Sequence, residues 1–553
     1  MVREDIMRRR TRIPGFWLAA ATTLWLSSIA LARDIPITVL YTTDLHGQLV
    51  SRISGKASPN ETGGLLQVAS LIEKIRAEEP HALLVDCGDT FQGGPEAYLS
   101  KGRILLDAME YLHYDVWVPG NHEFDWGLEI LKPLVRDAPC AVLGANIQAR
   151  FGAPHPLPEI RPYLVREIDG IRVAVVGLTT PSIPLWTLPD YLGDVFISRS
   201  VPALENILPA LKAENVDIRI LIVHQGLSQG ADSDHSEIQT IARDFPEFDL
   251  ILGGHTHQRV EREIVGGTLF SQAECYGKTL GRATLVYNTV ARKIIRRSAE
   301  LLPVEADTPV HPELKVKLAP WIARVDQAWA QRIGFAAHAL DARSGTPGDS
   351  AIDRLFREAI GEACDAEIVL HGALTPEGLD AGTITEQDLW RIVPFDNRIG
   401  VVHLTFGDLR IILEENIERG GTRFMGLLGA SARYDPEAPA GRRIRTLTLP
   451  DGSVPHARRR FRVAINSYVL ASGGGRFKEL RQISEQPESQ LTLLELQTRD
   501  VVRSYIRKHN PLSLSVDRED GLRSVSGLTA PRKRSYSSPK SGGPLREARG
   551  KGY

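Results

Sequence analysis

From Ile35 to about Leu301, short runs of Val, Ile and Leu alternate with amphipathic stretches. The runs are Ile37–Tyr41, Ala82–Val85, Asp115–Val118, Val173–Val176, Ile218–Val223 and Leu250–Leu252. Between the first two, Leu65–Ala77 carries its apolar residues at helical spacing. Near-continuous apolar strands alternating with helices predict an α/β domain whose strands are buried on both faces. From Pro303 to Pro312 the pattern gives way to Pro and acidic residues, a linker signal. A helical stretch, Leu314–Ile333, comes next, and then a second mixed domain from about Gly334 to Ser515. Beyond it the chain is rich in Ser, Gly, Pro and Arg, too poor in apolar residues to fold on its own.

The first residues break this pattern. Arg8-Arg9-Arg10-Thr11-Arg12 precedes an uncharged run from Ile13 to Ala32 that ends Ala30-Leu31-Ala32. Small residues there occupy the two positions a signal peptidase reads, which predicts a secretory signal peptide over residues 1–32. The rival reading is an uncleaved anchor, because the run approaches a spanning length. Its Ala, Thr and Ser content makes it a poor one. The expectation is a periplasmic or secreted protein with no stable membrane span once the signal is removed.

Composition narrows the classes further. With 42% apolar and 24% charged residues the chain is ordinary globular material. Its net charge of −2 hides an asymmetry. The leader carries five Arg against Glu4 and Asp5, and residues 521–553 carry eight Lys and Arg against Glu547 alone. The body is therefore acidic, which argues against nucleic acid as a partner of the folded body. Four Cys exclude a disulfide-dense scaffold and show no zinc-type spacing. Whether any two of them pair stays open, and Cys87 reads as a small buried residue at a strand end.

Candidate chemistry sits where the strands stop. The first run leads into Thr43-Asp44-Leu45-His46-Gly47, the second into Asp86-Cys87-Gly88-Asp89 and the third into Gly120-Asn121-His122-Glu123-Phe124-Asp125. The fifth ends in His224-Gln225-Gly226 and the sixth in Gly254-His255-Thr256-His257. In an open α/β sheet such loops converge on one edge. Leaving His122 aside, they supply two Asp, four His and one Asn. Seven such donors suit two divalent cations rather than one, and Mn, Zn, Co and Fe all accept them. Taken singly, each carboxylate or imidazole is as well explained as a helix cap or a structural hydrogen bonder. All five loops in this order are not.

The order Asp-x-His, Gly-Asp, Gly-Asn-His-Glu, His-x-Gly and Gly-His-x-His resembles the calcineurin-like metallophosphoesterases. The stretches Asn121–Gly127 and Tyr276–Gly281 are similar to their 5′-nucleotidase and 2′,3′-cyclic-nucleotide phosphodiesterase branch. The resemblance implies a four-layer αββα sandwich followed by a smaller mixed α/β domain of 5′-nucleotidase type. It implies Asp44, His46 and His257 on one metal, Asn121, His224 and His255 on a second, and Asp89 bridging both. Two cations so held neutralise phosphoryl oxygens during in-line displacement of an alcohol. His122 then stabilises charge or protonates the leaving oxygen, oriented by Asp125. The alternative for Asp125, capping the next helix, is compatible with that role. The expected organisation is a signal peptide over 1–32, a catalytic domain over 33–302, a linker and hinge helix over 303–333, a substrate-binding domain over 334–515, and a basic tail over 516–553.

In the second domain, Ile384–Leu389 with Val393–Asn397, and Ala464–Tyr468 with Ala471–Gly475, are similar to the family's substrate-binding signatures. They imply Phe395 and Tyr468 as aromatic faces for a nucleobase, although either also reads as a core residue, and Arg343 as a phosphate grip. Two departures stand out. Where nucleotidases carry an Asn-Gly-Gly-Gly-Ile-Arg segment, this chain reads His371-Gly372-Ala373-Leu374-Thr375-Pro376, without the Arg. Where they carry Gly-Gly-Asp, it reads Gly473-Gly474-Gly475. The expected substrate is thus a small phosphoester of nucleotide type: a 5′-nucleotide, a 2′,3′-cyclic nucleotide or a nucleotide sugar. A different phosphoester or a sulfur-containing ester at the same metals is the enzymatic alternative. A non-catalytic surface binding protein is the remote one.

Overall fold

Along the strand Asp34–Thr42, Ile37, Val39 and Tyr41 enter a core shared with a second sheet, while Leu40 faces helices on the opposite side. The strand Ile218–Val223 divides likewise: Ile218, Ile220 and Ile222 join that shared core, and Leu221 and Val223 face outward to another helical layer. Period-two alternation with both faces apolar is what a strand buried between layers requires. In the computed structural model, which describes residues 33–50, 62–228, 232–233, 235–344, 346–395, 397–421, 424–514 and 521–524, this produces the predicted helix–sheet–sheet–helix sandwich.

Each sheet has six strands. The first contains Asp34–Thr42, Leu83–Asp86 and Val116–Trp117 as parallel neighbours. The second contains Ile171–Leu178, Ile218–Val223 and Leu250–Gly253, also parallel. Parallel pairing sends their C-terminal ends to one edge, where all the candidate loops emerge. The helix Leu65–Glu78 covers the first sheet with Leu65, Leu66, Val68, Ala69, Ile72 and Ile75 buried, matching the spacing read from the sequence.

The linker leads into a helix over Pro312–Trp329, started by His311, whose side chain accepts a hydrogen bond from Leu314 N. The helix stops short of the expected Ile333 because Arg332–Ala336 is a strand of the second domain. That domain is built on a five-stranded sheet including Ile368–His371, Arg398–Thr405 and Arg460–Asn466. Three of its helices begin at Ser/Thr-x-x-Asp capping boxes: Ser350 with Asp353, Thr385 with Asp388, and Thr405 with Asp408. The Ile384–Leu389 signature is one of these boxes, a local folding device.

One further expectation needs adjustment. The tail expected from residue 516 contributes a strand, Gly521–Ser524, which pairs in parallel with Ser431–Tyr434 and buries Leu522. One leucine and an open sheet edge suffice to recruit it despite the polar flanks. The rest of that tail and the expected signal peptide lie outside the described residues. Among the described residues no helix is long and apolar enough to cross a membrane. All four cysteines are free, and Cys87 is fully buried.

His371, at the end of its strand, is fully buried, and neither ring nitrogen makes a well-formed hydrogen bond. Burial, aided by the nearby Arg357 charge, pushes it down to about 4. Below its ordinary value of 6.5 the unfolded chain binds a proton that the folded chain refuses, so stability rises with pH between these two values. Relative to His371→Leu, the wild type is expected to lose about 2 kcal/mol of unfolding free energy between pH ~7.5 and ~5. Denaturant titrations of both proteins at both pH values check this.

Candidate active site

The seven donors expected at the strand ends do converge. Ligand atoms of Asp44, His46 and His257 lie within 4.8 Å of one another, and so do those of Asp89, His224 and His255. Asp89 joins the two sets, with Oδ2 3.0 Å from His224 Nε2 and 3.9 Å from His46 Nε2. Asn121 is buried alongside, its Oδ1 without a hydrogen-bond partner. A third grouping, His46, Asp89 and His122, brings His122 into the same cluster.

The backbone is bent to achieve this. Asp44, His46, Asp89, His255, His257 and Tyr276 all have positive φ, between 47° and 71°. Non-glycine residues adopt that conformation rarely, and such strain concentrates at functional sites. Gly120 permits a close approach, since a Cβ there would lie 2.3 Å from Asp89 Oδ1. Hydrogen bonds lock the loops together. Asp44 N donates to Gly88 O, His46 N to Asp89 O, and Tyr276 N to Asp44 O, each at 2.8 Å.

Imidazole orientation follows the pattern of metal ligands. His46 Nδ1 lies 2.8 Å from the Gln92 carbonyl and His224 Nδ1 2.8 Å from that of Cys87. A carbonyl can only accept, so both rings carry a proton at Nδ1, and Nε2 is the nitrogen that each would offer a cation. His46 Nε2 faces His257 Nε2 at 3.0 Å. Burial pushes His46 down to about 4 and His255 down to about 3, keeping both neutral, whereas against burial Asp89 pushes His224 up to about 9 and Asp44 pushes His257 up to about 10. His224 Nε2, Asn121 Oδ1 and His255 Nδ1 are buried without a well-formed hydrogen bond. Orphaned lone pairs turned toward two carboxylates are what a divalent cation satisfies, so the residues present fit metal.

His122 stands apart. Its Nδ1 is 2.6 Å from Asp125 Oδ2, and its backbone N–H donates to Asp89 Oδ1 at 2.8 Å. Burial disfavours the imidazolium, but Asp125 and then Asp89 outweigh it and push the ring up to about 10. The hydrogen bond links both proposed catalytic residues directly to the ligand cluster.

Sequence reading passed over Glu123. It is buried, and its carboxylate accepts from Asp89 N and Gly120 N at one oxygen and from Thr90 N and Phe91 N at the other. Four donors on two oxygens call for the ionised form, although burial beside Asp89 pushes the group up to about 7. Its signal in the sequence was its place at the end of the Gly120-Asn121-His122-Glu123 stretch. Glu123→Gln turns an amide NH₂ toward two of these donors, and is expected to cost about 3 kcal/mol of stability in denaturant unfolding.

Next to the ligand cluster, a cavity of about 220 Å³ opens between the domains. Asn121, His122, Asp125 and His255 border it from one side, and Phe395 and Tyr468 from the other. Phe395 and Tyr468 thus both line this cavity. Arg343 is exposed and is not among the residues lining the cavity. Trp186 and Tyr191, absent from the sequence reading, line the cavity from the first domain. Trp186 stacks on His235 at 5.0 Å and leans on His255 at 5.1 Å. Its segment is held by the second domain, with Ser472 Oγ and Gly474 N donating to Leu185 O at 2.7 and 3.2 Å. A Cβ at Gly474 would lie 2.5 Å from Trp186 Nε1, so glycine is required where the chains meet.

Comparison with known proteins agrees with this division. Residues 37–259 match the calcineurin-like phosphoesterase family and residues 332–482 the 5′-nucleotidase C-terminal domain. A trifunctional nucleotide phosphoesterase of Bacillus subtilis is 27% identical over 493 residues, 79% of this chain but 32% of that protein. The chain thus spans about a third of that relative's length. A snake venom 5′-nucleotidase of Crotalus adamanteus is 26% identical over 521 residues, covering 84% of each chain. A putative 5′-nucleotidase of Staphylococcus aureus has the same fold, with TM-score 0.76 and 20% identity over 89% of this chain and 100% of its own.

Proposed function

We propose, for a chain that belongs to the calcineurin-like phosphoesterases and carries a 5′-nucleotidase C-terminal domain, that it is an exported dimetal phosphoesterase acting on nucleotides. The observation that carries this is the pair of ligand triads joined at Asp89 beside an aromatic-walled cavity. Asp44, His46 and His257 would hold one divalent cation and Asn121, His224 and His255 the other, with Asp89 shared. When bound, the cations supply positive charge to the attacking and phosphoryl oxygens of an in-line displacement.

The protein's own groups do the rest. Asp125 fixes the His122 ring through Nδ1, leaving Nε2 for the substrate. From there His122 donates its proton to the departing alcohol oxygen as the phosphorus–oxygen bond breaks, and Asp125 stabilises the imidazolium beforehand. Phe395 and Tyr468 offer faces for a base, and stacking between aromatic faces contributes about 1–3 kcal/mol per base whatever its identity. Trp186 and Tyr191 complete the wall and exclude water from the leaving group.

The test is phosphate or nucleoside release by the full chain with added manganese, on a 5′-mononucleotide, a 2′,3′-cyclic nucleotide and a generic aryl phosphodiester. Chelator-sensitive turnover of a nucleotide is the expected result. Turnover of the generic ester alone would remove the nucleotide assignment, including the Phe395–Tyr468 pair.

A further inference from the structure

Arg499, 1% exposed at the start of the second-domain helix Thr498–Lys508, is one of the largest fully buried side chains among the described residues. A guanidinium cannot shed its charge, so a buried one must be held by what surrounds it. Its Nε donates to Val393 O at 2.9 Å and its Nη2 to Pro394 O at 3.0 Å, the two carbonyls just before Phe395. Thr498 holds the far side: its N and Oγ1 both donate to Asn397 O, at 2.9 and 3.2 Å. Phe395 and Asn397 both line the cavity, and Arg499 is not among the lining residues. Two consecutive helix residues thus clamp the segment that presents the aromatic face.

The same guanidinium reaches the first domain. Its Cζ lies 3.7 Å from the ring centre of Trp390 in its own domain and 4.7 Å from that of Tyr98 in the other. The two rings meet edge-on at 5.2 Å, and Tyr98 OH donates to Gln497 Oε1 at 3.3 Å. Attraction of a cation to an aromatic face is strongest where water is excluded, and the flat guanidinium suits such a face. Tyr98 belongs to the short helix Pro95–Ser100. A Cβ at Gly94 would lie 2.2 Å from Gly47 O, and one at Gly93 2.7 Å from His46 O. The start of this helix and the loop of the ligand His46 therefore touch backbone to backbone. Contacts run unbroken from His46 through Tyr98 and Arg499 to the segment of Phe395.

From this we infer that Arg499 is a positioning residue for the nucleobase: it sets Phe395 at a fixed place relative to the metal ligands without itself touching substrate. The inference rests on the nucleotide reading and goes beyond it, because it assigns a role outside the cavity wall. Stacking stabilises a base only if the ring is presented at the right distance from the bound phosphate. Removing the guanidinium takes a donor from two successive carbonyls and unlinks the segment from Tyr98. The ring then loses its fixed place, while the metal ligands, held by their own loops, keep theirs.

The test compares a nucleoside 5′-monophosphate with ribose 5-phosphate, which offers the same leaving alcohol without the base, on the manganese-loaded full chain. The readout is the ratio of the two kcat/KM values, which a general loss of folded enzyme does not move. A wild type that turns over neither ester, or both equally, would defeat the nucleotide reading itself, and this is decided before any variant is made. Arg499→Met is expected to lower the ratio roughly tenfold, through the nucleotide's KM rather than its kcat. Arg499→Lys keeps a cation between the rings but cannot make the forked pair of bonds, so an intermediate loss is expected, and it serves if the first variant folds poorly. Tyr98→Leu spares both carbonyl bonds and removes only the face from the first domain, for an expected loss of about threefold. In a Phe395→Leu background, Arg499→Met is expected to change the ratio by less than about twofold, since the ring it positions is gone. An unchanged ratio in the folded Arg499 variants or in Tyr98→Leu, or full additivity with Phe395→Leu, would overturn the inference while leaving the nucleotide reading intact.

Discussion

Asp89→Ala is expected to abolish phosphoester turnover and to empty the metal site together. The carboxylate is the point where both triads meet: it lies 3.0 Å from His224 Nε2, 3.9 Å from His46 Nε2, and accepts the His122 backbone N–H. A shared anion between two cations spreads one negative charge over both, which no neutral imidazole can do. Its removal also leaves His122 N without its acceptor and loosens the loop that Glu123 clamps. The expected loss in kcat/KM is about 10³-fold or more, with metal content per chain, measured by atomic spectroscopy, falling in parallel. Retained metal with lost activity would move Asp89 from ligand to catalyst.

His122→Ala should behave differently: a loss of about 10²–10⁴-fold in kcat with metal content unchanged. Its Nδ1 is already taken by Asp125, and its ring meets that of the ligand His46 edge-on, with centroids 5.1 Å apart, without a hydrogen bond between them. If its task is to protonate the departing oxygen, the loss shrinks for a leaving group that needs no proton. A nitrophenyl ester should therefore suffer less than an alkyl ester or a nucleotide. An equal loss across leaving groups would assign His122 to charge stabilisation of the phosphoryl group, and an emptied site would make it a ligand.

The catalytic edge was legible because each donor directly follows an apolar run that can only be a buried strand, and parallel pairing leaves one edge for such strands to end on. Ile218–Val223 followed by His224 is the plainest instance. Residues whose role arises from tertiary contact were not legible. Glu123 differs from a solvated loop acid only because four backbone N–H groups close around it. Trp186 reads as a loop aromatic until the Ser472–Gly474 turn of the other domain fixes its segment. Arg343 has a phosphate grip's place in the chain, yet it is exposed and does not line the cavity, which its position in the sequence could not tell. Leu522 shows how little is needed to recruit a polar tail to a sheet edge.

The most direct test of the account is phosphate release from a nucleoside 5′-monophosphate by the full chain before chelation, after it, and after manganese is restored. The account predicts turnover that chelation removes and manganese returns, with the wild type regaining metal that Asp89→Ala cannot hold. Turnover that persists in the metal-free protein, or metal-loaded protein that releases no phosphate from any ester tried, would contradict it.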